Sequence, residues 1–490
     1  MTTSSPSAGT ADAAPPDARP TSAAEITRLF AAQQANRWRV SRSTAPERAA
    51  KLARLGAAIA ARREEIAAAA YADFRKPAAE VEITEIHPTL AEIGLARRKV
   101  GRWMRPRRVP TPLLLFGTAS EVRWEPRGVV LIIGTWNYAF SLVVSPLVAA
   151  LAAGNCAILK PSERTPHPSA FLKRFVADLF DASEVAVVEG GTETAQALLA
   201  LPFDHVFFTG GTRVGRLVMA AAAQHLASVT LELGGKSPAF VDETADVRAA
   251  ADSIVWGRFL NAGQTCLAPD YVLVHASRAA EFVAAAKRSL EARYGPAGPP
   301  RAAAGDYCRL VDDAHLARLA EALARTVAGG AVLEVGGESD PLSQYLAPTI
   351  VSNVTFDAPL MDEEIFGPVL PVLTYTDLDD ALARIRGLGK PLALYIFSAR
   401  RGSVEHILAN TTAGGTAVNA TMTHYGNPYL PFGGVGASGQ GSYHGMFGFR
   451  TFSHERAVLY QRRPRLAHLL YPPYRGALHA LMRRVLRFLE

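Results

Sequence analysis

Cysteine is scarce in this sequence, which has only three among its 490 residues. Three cysteines cannot build a disulfide framework, and none of them has the CxxC or Cys/His spacing of a zinc site. The sequence therefore excludes a small disulfide-stapled fold, predicts no metal site and favours a reducing cytoplasm.

A long uninterrupted apolar run is also missing. The longest one, residues 139–153, is broken by Ser141, Ser145 and Pro146 and is too short to span a membrane. The first twenty residues are rich in Ala, Pro, Ser and Thr and have no apolar centre. This composition argues against a secretory signal and predicts a disordered arm over residues 1–22.

Positive charge is in modest excess. The net charge is +7, and the densest basic cluster lies at residues 97–108. No aromatic ladder, zinc knuckle or helix-turn-helix signature accompanies this cluster, and a solvated basic face explains it as well. We therefore expect no nucleic-acid partner.

The sequence does contain enough apolar material for a large core, since 49% of its residues are hydrophobic and its length suits two or three domains. From residue 23 to about 105, apolar residues such as Leu52, Leu55 and Ile59 recur at helical spacing and predict consecutive helices. Short apolar runs then alternate with helical segments, which is typical of parallel, doubly wound sheets. The predicted strands are 129–133, 157–159, 185–188, 205–208 and 228–231 in one series, and 239–241, 271–274, 331–335, 349–354, 369–375 and 393–397 in another. The fold class is therefore α/β, with two doubly wound open-sheet domains and a small projecting β-hairpin around residues 119–124.

The segment Asn261-Ala262-Gly263-Gln264-Thr265-Cys266 places a cysteine after a small, turn-prone run, as a thiol presented for chemistry would be. Upstream, Glu232 lies on an apolar segment that ends in the pair Gly234-Gly235. A cysteine and a glutamate together suggest a covalent thioester and its hydrolysis.

A candidate nucleotide site follows another predicted strand. The turn Thr209-Gly210-Gly211-Thr212-Arg213-Val214-Gly215 stands between a strand and a helix, an order that points backbone N–H groups at an anion. Its spacing is not GxGxxG, and such a turn is often only a connection. Lys160 and Glu163 end a neighbouring strand, where a carboxylate can accept hydrogen bonds from ribose hydroxyls.

Six motifs in order resemble those of the aldehyde dehydrogenase superfamily over residues 23 to about 458. They are Gly134-Thr135-Trp136-Asn137-Tyr138, Leu159-Lys160-Pro161-Ser162-Glu163, the turn from Phe208 to Gly215, Leu231-Glu232-Leu233-Gly234-Gly235-Lys236, Gly263-Gln264-Thr265-Cys266 and Glu363-Glu364-Ile365-Phe366-Gly367-Pro368. The chain is most similar to the class 3 branch, with fatty-aldehyde and coniferyl-aldehyde dehydrogenases. The segments that carry this likeness are Ala268-Pro269-Asp270-Tyr271, Leu430-Pro431-Phe432-Gly433-Gly434-Val435-Gly436 and Ser442-Tyr443-His444-Gly445.

The resemblance implies a mechanism. Cys266 attacks the aldehyde carbon, and the side-chain amide of Asn137 holds the oxyanion together with the N–H of Cys266. Hydride then leaves to a nicotinamide, and Glu232 activates water to hydrolyse the thioester. His424 and His444 receive no step, and Ala139 departs from the usual class 3 proline.

The resemblance also implies a cofactor site. Glu364 binds the nicotinamide ribose, Phe366 packs near the nicotinamide, and Trp136 lines the cleft. Lys160 and Glu163 hold the adenosine ribose. The residues that shape the pyrophosphate turn are Gly210, Gly211, Thr212 and Gly215. Because Glu163 would repel a 2′-phosphate, NAD is the expected cofactor, although NADP stays possible.

The implied domains are an arm (1–22), a dinucleotide-binding domain (23–233, with 107–127 in an oligomerisation arm), a catalytic domain (234–436), an oligomerisation or bridging segment (437–462) and a C-terminal tail (463–490). A homodimer is implied as well. In the tail, apolar residues at helical spacing with arginines opposite predict a basic amphipathic helix, which docks on a subunit or touches a membrane surface. The predicted helix runs from Ala477 to Glu490, with Leu478, Leu481, Met482, Val485 and Leu489 on one side and Arg483, Arg484 and Arg487 largely opposite.

Two other functions stay open at this point. In a coenzyme A-acylating relative a thiol takes the acyl group, although Glu232 as a water-activating base would waste the thioester. A non-enzymatic scaffold would keep the fold without the chemistry, although Cys266, Glu232 and Asn137 are all intact. The substrate is also open: Tyr138, Leu267 and His424 as lining residues would suit aromatic or medium-to-long aliphatic aldehydes.

Overall fold

The structure is a computed structural model that describes residues 19–112 and 115–462, and beyond them only 471–472, 476–477, 480, 482–484 and 487. Most of the predicted disordered arm and of the predicted C-terminal helix lies outside the described residues. Residues 477, 480, 482–484 and 487 are helical, but Leu478, Leu481, Val485 and Leu489, on which the amphipathic prediction depends, are not described.

The helices alternate with strands after a helical N-terminal segment. They are α1 (Ala23–Ser41), α2 (Ala45–Ala61), α3 (Arg63–Phe74), α4 (Ala78–Val81), α5 (His87–Trp103), α6 (Ser141–Ala153), α7 (Pro166–Leu179), α8 (Thr192–Leu199), α9 (Thr212–Ala223), α10 (Val247–Phe259), α11 (Ala279–Tyr294), α12 (Pro299–Ala302), α13 (Asp313–Ala328), α14 (Leu378–Gly387), α15 (Arg401–Asn410) and α16 (Gly445–Thr451). A π-helical turn, Glu82–Ile86, joins α4 to α5, and a 3-10 turn, Leu260–Gly263, follows α10.

The strands are β1 (Arg107–Val109), β2 (Thr118–Pro126), β3 (Val129–Ile133), β4 (Cys156–Lys160), β5 (Val185–Val187), β6 (His205–Thr209), β7 (Ser228–Glu232), β8 (Pro238–Val241), β9 (Tyr271–His275), β10 (Val332–Val335), β11 (Ser339–Asp340), β12 (Tyr345–Leu346), β13 (Thr349–Ser352), β14 (Val369–Tyr375), β15 (Ala393–Phe397), β16 (Gly415–Val418), β17 (Gly439–Gln440) and β18 (Ser453–Gln461). Each predicted strand is present within a few residues of its predicted bounds.

The first sheet has the order β17-β7-β6-β3-β4-β5. Its strands are parallel except for β17, which runs antiparallel to β7. The strands β3, β4 and β6 are buried along their whole length, as expected for a sheet covered by helices on both faces. This sheet confirms the first doubly wound domain.

The second sheet has the order β10-β13-β14-β9-β8-β15-β16 and is parallel except for β10, which runs antiparallel to β13. The two sheets together confirm the predicted α/β class. The sequence analysis missed β16, which is only partly buried, and the two-residue strand β17.

A third sheet, β1-β2-β18, contains the predicted hairpin. The strands β2 and β18 pair antiparallel over nine residues, from Ser453 opposite Pro126 to Gln461 opposite Thr118. Residues of the predicted 107–127 arm thus pair with the predicted 437–462 segment. Within residues 19–112 and 115–462, no helix combines the length and the apolarity that a membrane crossing needs.

Candidate active site

The candidate site lies at the carboxyl edge of the first sheet, where the ends of adjacent parallel strands meet. Asn137 follows β3, Lys160 ends β4, Gly210 follows β6 and Glu232 ends β7. Because these four strands are neighbours in the sheet, four sequence-predicted residues lie along one edge, which is where ligands of such sheets bind.

The loop before Cys266 has an unusual backbone. Asn261, Ala262 and Gly263 follow one another with φ of 56°, 50° and 72°, a left-handed run that non-glycine residues rarely adopt. A Cβ on Gly263 would lie 2.2 Å from the carbonyl oxygen of Gly367, so glycine alone fits there. Cys266 is half-buried, whereas Cys156 and Cys308 are fully buried.

Gln264 fixes this loop from inside. Its Nε2 donates to the carbonyl oxygens of Asn261 (3.1 Å) and Arg309 (3.0 Å), and its Oε1 accepts from the N–H of Val311 (3.0 Å). Strained backbone persists only where the surroundings determine it so fully, and it clusters at functional sites. The loop therefore holds Cys266 in one place.

The surroundings of Cys266 disfavour its thiolate form. Burial raises its pKa to about 12, and the carboxyl groups of Glu364 and Glu232 add to the shift. The backbone N–H groups of Cys266 and Leu267 act in the opposite direction, because they donate hydrogen bonds to the sulfur. Two N–H donors therefore lie on the sulfur atom, and both carboxyl groups are near enough to raise the pKa of the thiol.

Glu232 is a buried acid without a partner. The residue is 3% exposed, and neither carboxyl oxygen has a hydrogen-bond partner among the described residues. Burial raises the pKa of this carboxyl well above its ordinary value. A desolvated acid near a thiol is suited to accept a proton during a reaction. No hydrogen bond from the described residues offsets the cost of burying this carboxyl group.

Asn137 lies against the nucleophile loop. Its Nδ2 donates to the carbonyl oxygen of Gln264 (3.0 Å), and its own carbonyl oxygen accepts from Asn261 Nδ2 (3.0 Å). The next residue, Tyr138, pairs its hydroxyl with that of Thr265 at 2.6 Å. One amide hydrogen of Asn137 is thus used by the loop, while its Oδ1 has no hydrogen-bond partner among the described residues.

Glu364 packs on the glycine pair that follows Glu232. A Cβ on Gly234 would lie 2.0 Å from Glu364 Oε2, and the N–H of Gly235 donates to the carboxyl group. Burial raises the pKa of Glu364 to about 8, and nearby Asp270 adds to the shift. A side chain at position 234 would therefore displace the Glu364 carboxyl group.

Asp270 holds this region together, and the sequence analysis quoted it only within a family segment, without a role. Its Oδ2 accepts from Lys236 Nζ (2.6 Å), and its Oδ1 accepts from Arg258 Nη1 (3.2 Å) and from the N–H of Ile365 (3.0 Å). A charged residue directly before the apolar run of β9 was the available signal. Asp270 ties the Glu364 loop to the segment that carries the nucleophile.

The predicted cleft aromatics contact each other. The rings of Trp136 and Phe366 lie 5.3 Å apart, edge to face, and Phe366 has a φ of 51°. His315 Nε2 is 2.7 Å from the carbonyl oxygen of Phe366, and the Arg164 guanidinium lies 4.9 Å from the Trp136 ring centre. The sequence analysis named neither His315 nor Arg164, because only the fold brings them to this cleft.

The glycines of the predicted pyrophosphate turn differ in how closely other residues pack against them. A Cβ on Gly210 would meet the Phe208 ring at 2.5 Å, and one on Gly215 would meet the Leu233 side chain at 2.7 Å, so a larger residue at either position would displace its neighbour. Gly211 has open space where its Cβ would be, and Thr212 Oγ1 donates to the carbonyl oxygen of Ala437 (3.0 Å).

This edge fits a nicotinamide dinucleotide. Thr209 Oγ1, at the end of β6, is buried and has no hydrogen-bond partner among the described residues. Helix α9 begins just after the open Gly211, so its first N–H groups face the same space. Lys160 Nζ contacts Glu163 Oε2 at 3.0 Å, and half of the Glu163 side chain is exposed at the rim.

A cavity of about 380 Å³ lies beside the nucleophile. Its wall is mostly apolar and includes Ile83, Tyr138, Leu142, Trp256, Cys266, Leu267, Tyr425, Phe432 and His444. The prediction that His424 lines this space is wrong, because its ring packs on that of Tyr395 with centroids 6.1 Å apart. Among the described residues, no cluster of His, Cys, Asp or Glu could hold a metal ion.

Comparison with known proteins agrees with this geometry. A sequence model of the Aldehyde dehydrogenase family matches residues 1–458. The 4,4'-diaponeurosporen-aldehyde dehydrogenase of Staphylococcus aureus is 45% identical over 87% of this chain and 92% of its own length. Aldehyde dehydrogenase family 3 member B1 of Homo sapiens is 42% identical over 87% of this chain and 90% of its own.

Solved structures agree as well. The substrate-bound Staphylococcus aureus AldH superposes with a TM-score of 0.90 at 42% identity and covers 95% of this chain and 99% of its own. A Mycobacterium tuberculosis aldehyde dehydrogenase complexed with NAD+ gives 0.82 at 29% identity, over 90% and 91% of the two chains. This chain therefore belongs to the aldehyde dehydrogenase family of NAD(P)-dependent oxidoreductases.

Proposed function

We propose that this chain oxidises aromatic or medium-to-long aliphatic aldehydes to carboxylic acids through a thioester on Cys266. The observation that carries the proposal is the half-buried Cys266 on the wall of a mostly apolar cavity, with the unpartnered Glu232 carboxyl close to its sulfur. Such a cavity favours substrates that bring apolar surface to it.

In the proposed reaction, the Cys266 thiol releases its proton to solvent, and the thiolate forms a bond to the aldehyde carbon while the C=O electron pair moves onto the oxygen. The side-chain amide of Asn137 and the N–H of Cys266 donate to the resulting oxyanion. A nicotinamide, when bound, accepts the hydride that leaves this carbon. Glu232 then takes a proton from water, whose oxygen attacks the thioester carbon. The C–S bond breaks, and Glu232 returns the proton to the departing sulfur, which leaves the carboxylic acid and the free thiol.

NAD is the proposed cofactor. Glu364 would bind the nicotinamide ribose, while Trp136 and Phe366 would flank the nicotinamide. Lys160 and Glu163 would bind the adenosine ribose. The Glu163 carboxylate disfavours a 2′-phosphate by like-charge repulsion. Relatives support either cofactor class, since one structure contains NAD+ and an E. coli structure at 25% identity is named as an NADP-dependent enzyme.

The test is a steady-state assay of reduced cofactor by absorbance, with NAD or NADP and straight-chain aldehydes of increasing length beside benzaldehyde. We expect kcat/KM to rise with chain length until the cavity is full, and to favour NAD by about tenfold or more. Preference for the shortest aldehyde would contradict the substrate class. Acceleration by coenzyme A would favour the acyl-transferring alternative, and no reduction of either cofactor would favour the scaffold.

We propose further that the chain is a cytoplasmic homodimer, with the domain bounds expected from its sequence and a C-terminal helix at the substrate entrance that also contacts anionic membranes. The sheet β1-β2-β18 is a suitable oligomerisation arm, because β18 is exposed along most of its length.

A chain ending before residue 475 is expected to lose preference for long over short aldehydes while keeping its rate on short ones. Flotation with anionic liposomes at low salt tests the membrane contact, which is wrong if the full chain floats no better than the truncated one.

A further inference from the structure

A buried ion pair lies directly beneath the loop that carries Asn137. Lys76, between α3 and α4, is fully buried, and its Nζ donates to Glu85 Oε1 at 2.7 Å. The Glu85 side chain is 2% exposed. Neither residue is needed for the chemistry described above, and replacing a buried ion pair by apolar residues of similar volume is often neutral or stabilising. Stability alone therefore gives little reason for this pair.

The lysine faces the two residues next to the nucleophile loop. Its Nζ is 3.4 Å from the carbonyl oxygen of Asn137 and donates to it, and it lies 3.9 Å from the centre of the Tyr138 ring. A desolvated ammonium over an aromatic face is attracted to it. Lys76 thus contacts the main chain of Asn137 and the ring whose hydroxyl pairs with Thr265.

The glutamate holds the other end of the same loop. Glu85 Oε2 accepts from the N–H groups of Phe140 (2.9 Å) and Ser141 (3.2 Å), at the start of α6. These are N–H groups that a helix leaves without internal partners, and a carboxylate is favoured at that end by the helix dipole. The pair therefore fixes residues 137–141 from both ends.

The same cluster reaches the nucleophile loop. Glu80, whose pKa burial raises to about 7, accepts from the backbone N–H of Asn261 and attracts Lys76. Asn261 Nδ2 in turn donates to the carbonyl oxygens of Asn137 and Gln264, both at 3.0 Å. The Asn137 loop and the Cys266 loop are joined through this cluster.

We propose that Lys76 and Glu85 are positioning residues, which hold the Asn137 amide and the Tyr138 ring in register with Cys266. This inference rests on the proposed role of Asn137 as oxyanion donor. An asparagine that is free to shift by an ångström would lose much of its effect on the transition state, whereas one fixed from both ends is preorganised.

The test is a double-mutant cycle on the rate of the first turnover, measured as the NADH burst in stopped flow. Asn137→Ala is expected to slow the burst by roughly 10²–10³-fold. Lys76→Met is expected to slow it by about 10–100-fold, with the affinity for NAD unchanged. The combination should be within about threefold of Asn137→Ala alone, because Lys76 acts through Asn137.

Two controls separate positioning from folding. Lys76→Met leaves Glu85 buried without its cation, so Lys76→Met/Glu85→Gln is the neutral version. We expect it to recover melting temperature but not the burst rate. If the single variant does not fold, the neutral pair takes its place in the cycle. Lys51→Met breaks the Lys51–Glu184 ion pair away from the site and should keep the parent burst.

The outcomes distinguish the two proposals. A full burst in Asn137→Ala would contradict the oxyanion role and with it the proposed function of that residue. The positioning role alone would be overturned by either of two results in which Asn137→Ala has a slow burst. In the first, the burst rate of Lys76→Met is within threefold of the parent. In the second, the double variant loses the product of the two single losses. If the neutral pair recovers the burst rate, Lys76 only compensates the buried charge of Glu85, and the positioning role is wrong.

Discussion

Cys266→Ala is expected to reduce aldehyde-dependent NADH formation to background, a loss of roughly 10⁴-fold or more, because no other described thiol can form the thioester. Cys156 and Cys308 are fully buried. Fold and NAD affinity should be nearly unchanged, because the change removes one sulfur from a half-buried position. Steady-state assays, melting temperature and NAD titration measure the three effects.

Cys156→Ala is the matched control. Its thiol lies in β4, where burial raises its pKa to about 11, and its loss should leave turnover at the parent level. Iodoacetamide should label the parent at Cys266 first, since that is the half-buried thiol, and inactivation should follow labelling one to one. Parent-like turnover in Cys266→Ala would rule out the thioester mechanism.

Glu232→Gln is expected to separate the two half-reactions. Hydride transfer needs no base at this position once the thiolate has attacked, but hydrolysis does, and removal of a general base typically slows a step by roughly 10²–10⁴-fold. Stopped flow should therefore show a burst of about one NADH per subunit followed by a stall. Mass spectrometry of the stalled protein should find the acyl group on Cys266.

The same variant has an expected effect on stability. The folded state raises the pKa of Glu232 above the ordinary 4.5 that it has in the unfolded chain, so this residue lowers the free energy of unfolding as the pH rises above that value. Glutamine carries no such penalty. The melting temperature of Glu232→Gln at pH 8 should exceed that of the parent, and the difference should shrink toward pH 4.5.

A different kinetic result for Glu232→Gln would point to another base. If Glu232→Gln turns over at the parent rate without a burst, another group is the base. Glu364 is then the first candidate, because its carboxyl group is near enough to raise the pKa of the Cys266 thiol, and burial raises its own pKa to about 8. Glu364→Gln would be the next variant to assay.

The strands and the family motifs were predictable because their signals are local. Apolar runs such as β3 and β4 are buried from end to end, and the motif around Cys266 specifies its own turn. Strand β16 was missed because it is short and only partly buried, so it lacks a full apolar run.

Contacts across the chain could not be predicted in the same way. Lys76 meets the Asn137 carbonyl across 61 residues, and nothing in either segment indicates the pairing. The error over His424 has the same origin, because the direction of its ring is set by packing on Tyr395. Local sequence identified the reacting groups, and tertiary packing determined what holds them.

The position of β17 in the first sheet affects how the protein folds during its synthesis. This strand pairs with β7, although about 200 residues, including all seven strands of the second sheet, separate them in the chain. At a synthesis rate of roughly 5–20 residues per second, β7 waits on the ribosome for about 10–40 seconds before its partner emerges. The exposed edge of β7 is then open to mispairing with other chains, so the nascent protein is expected to depend on chaperones most strongly during that interval.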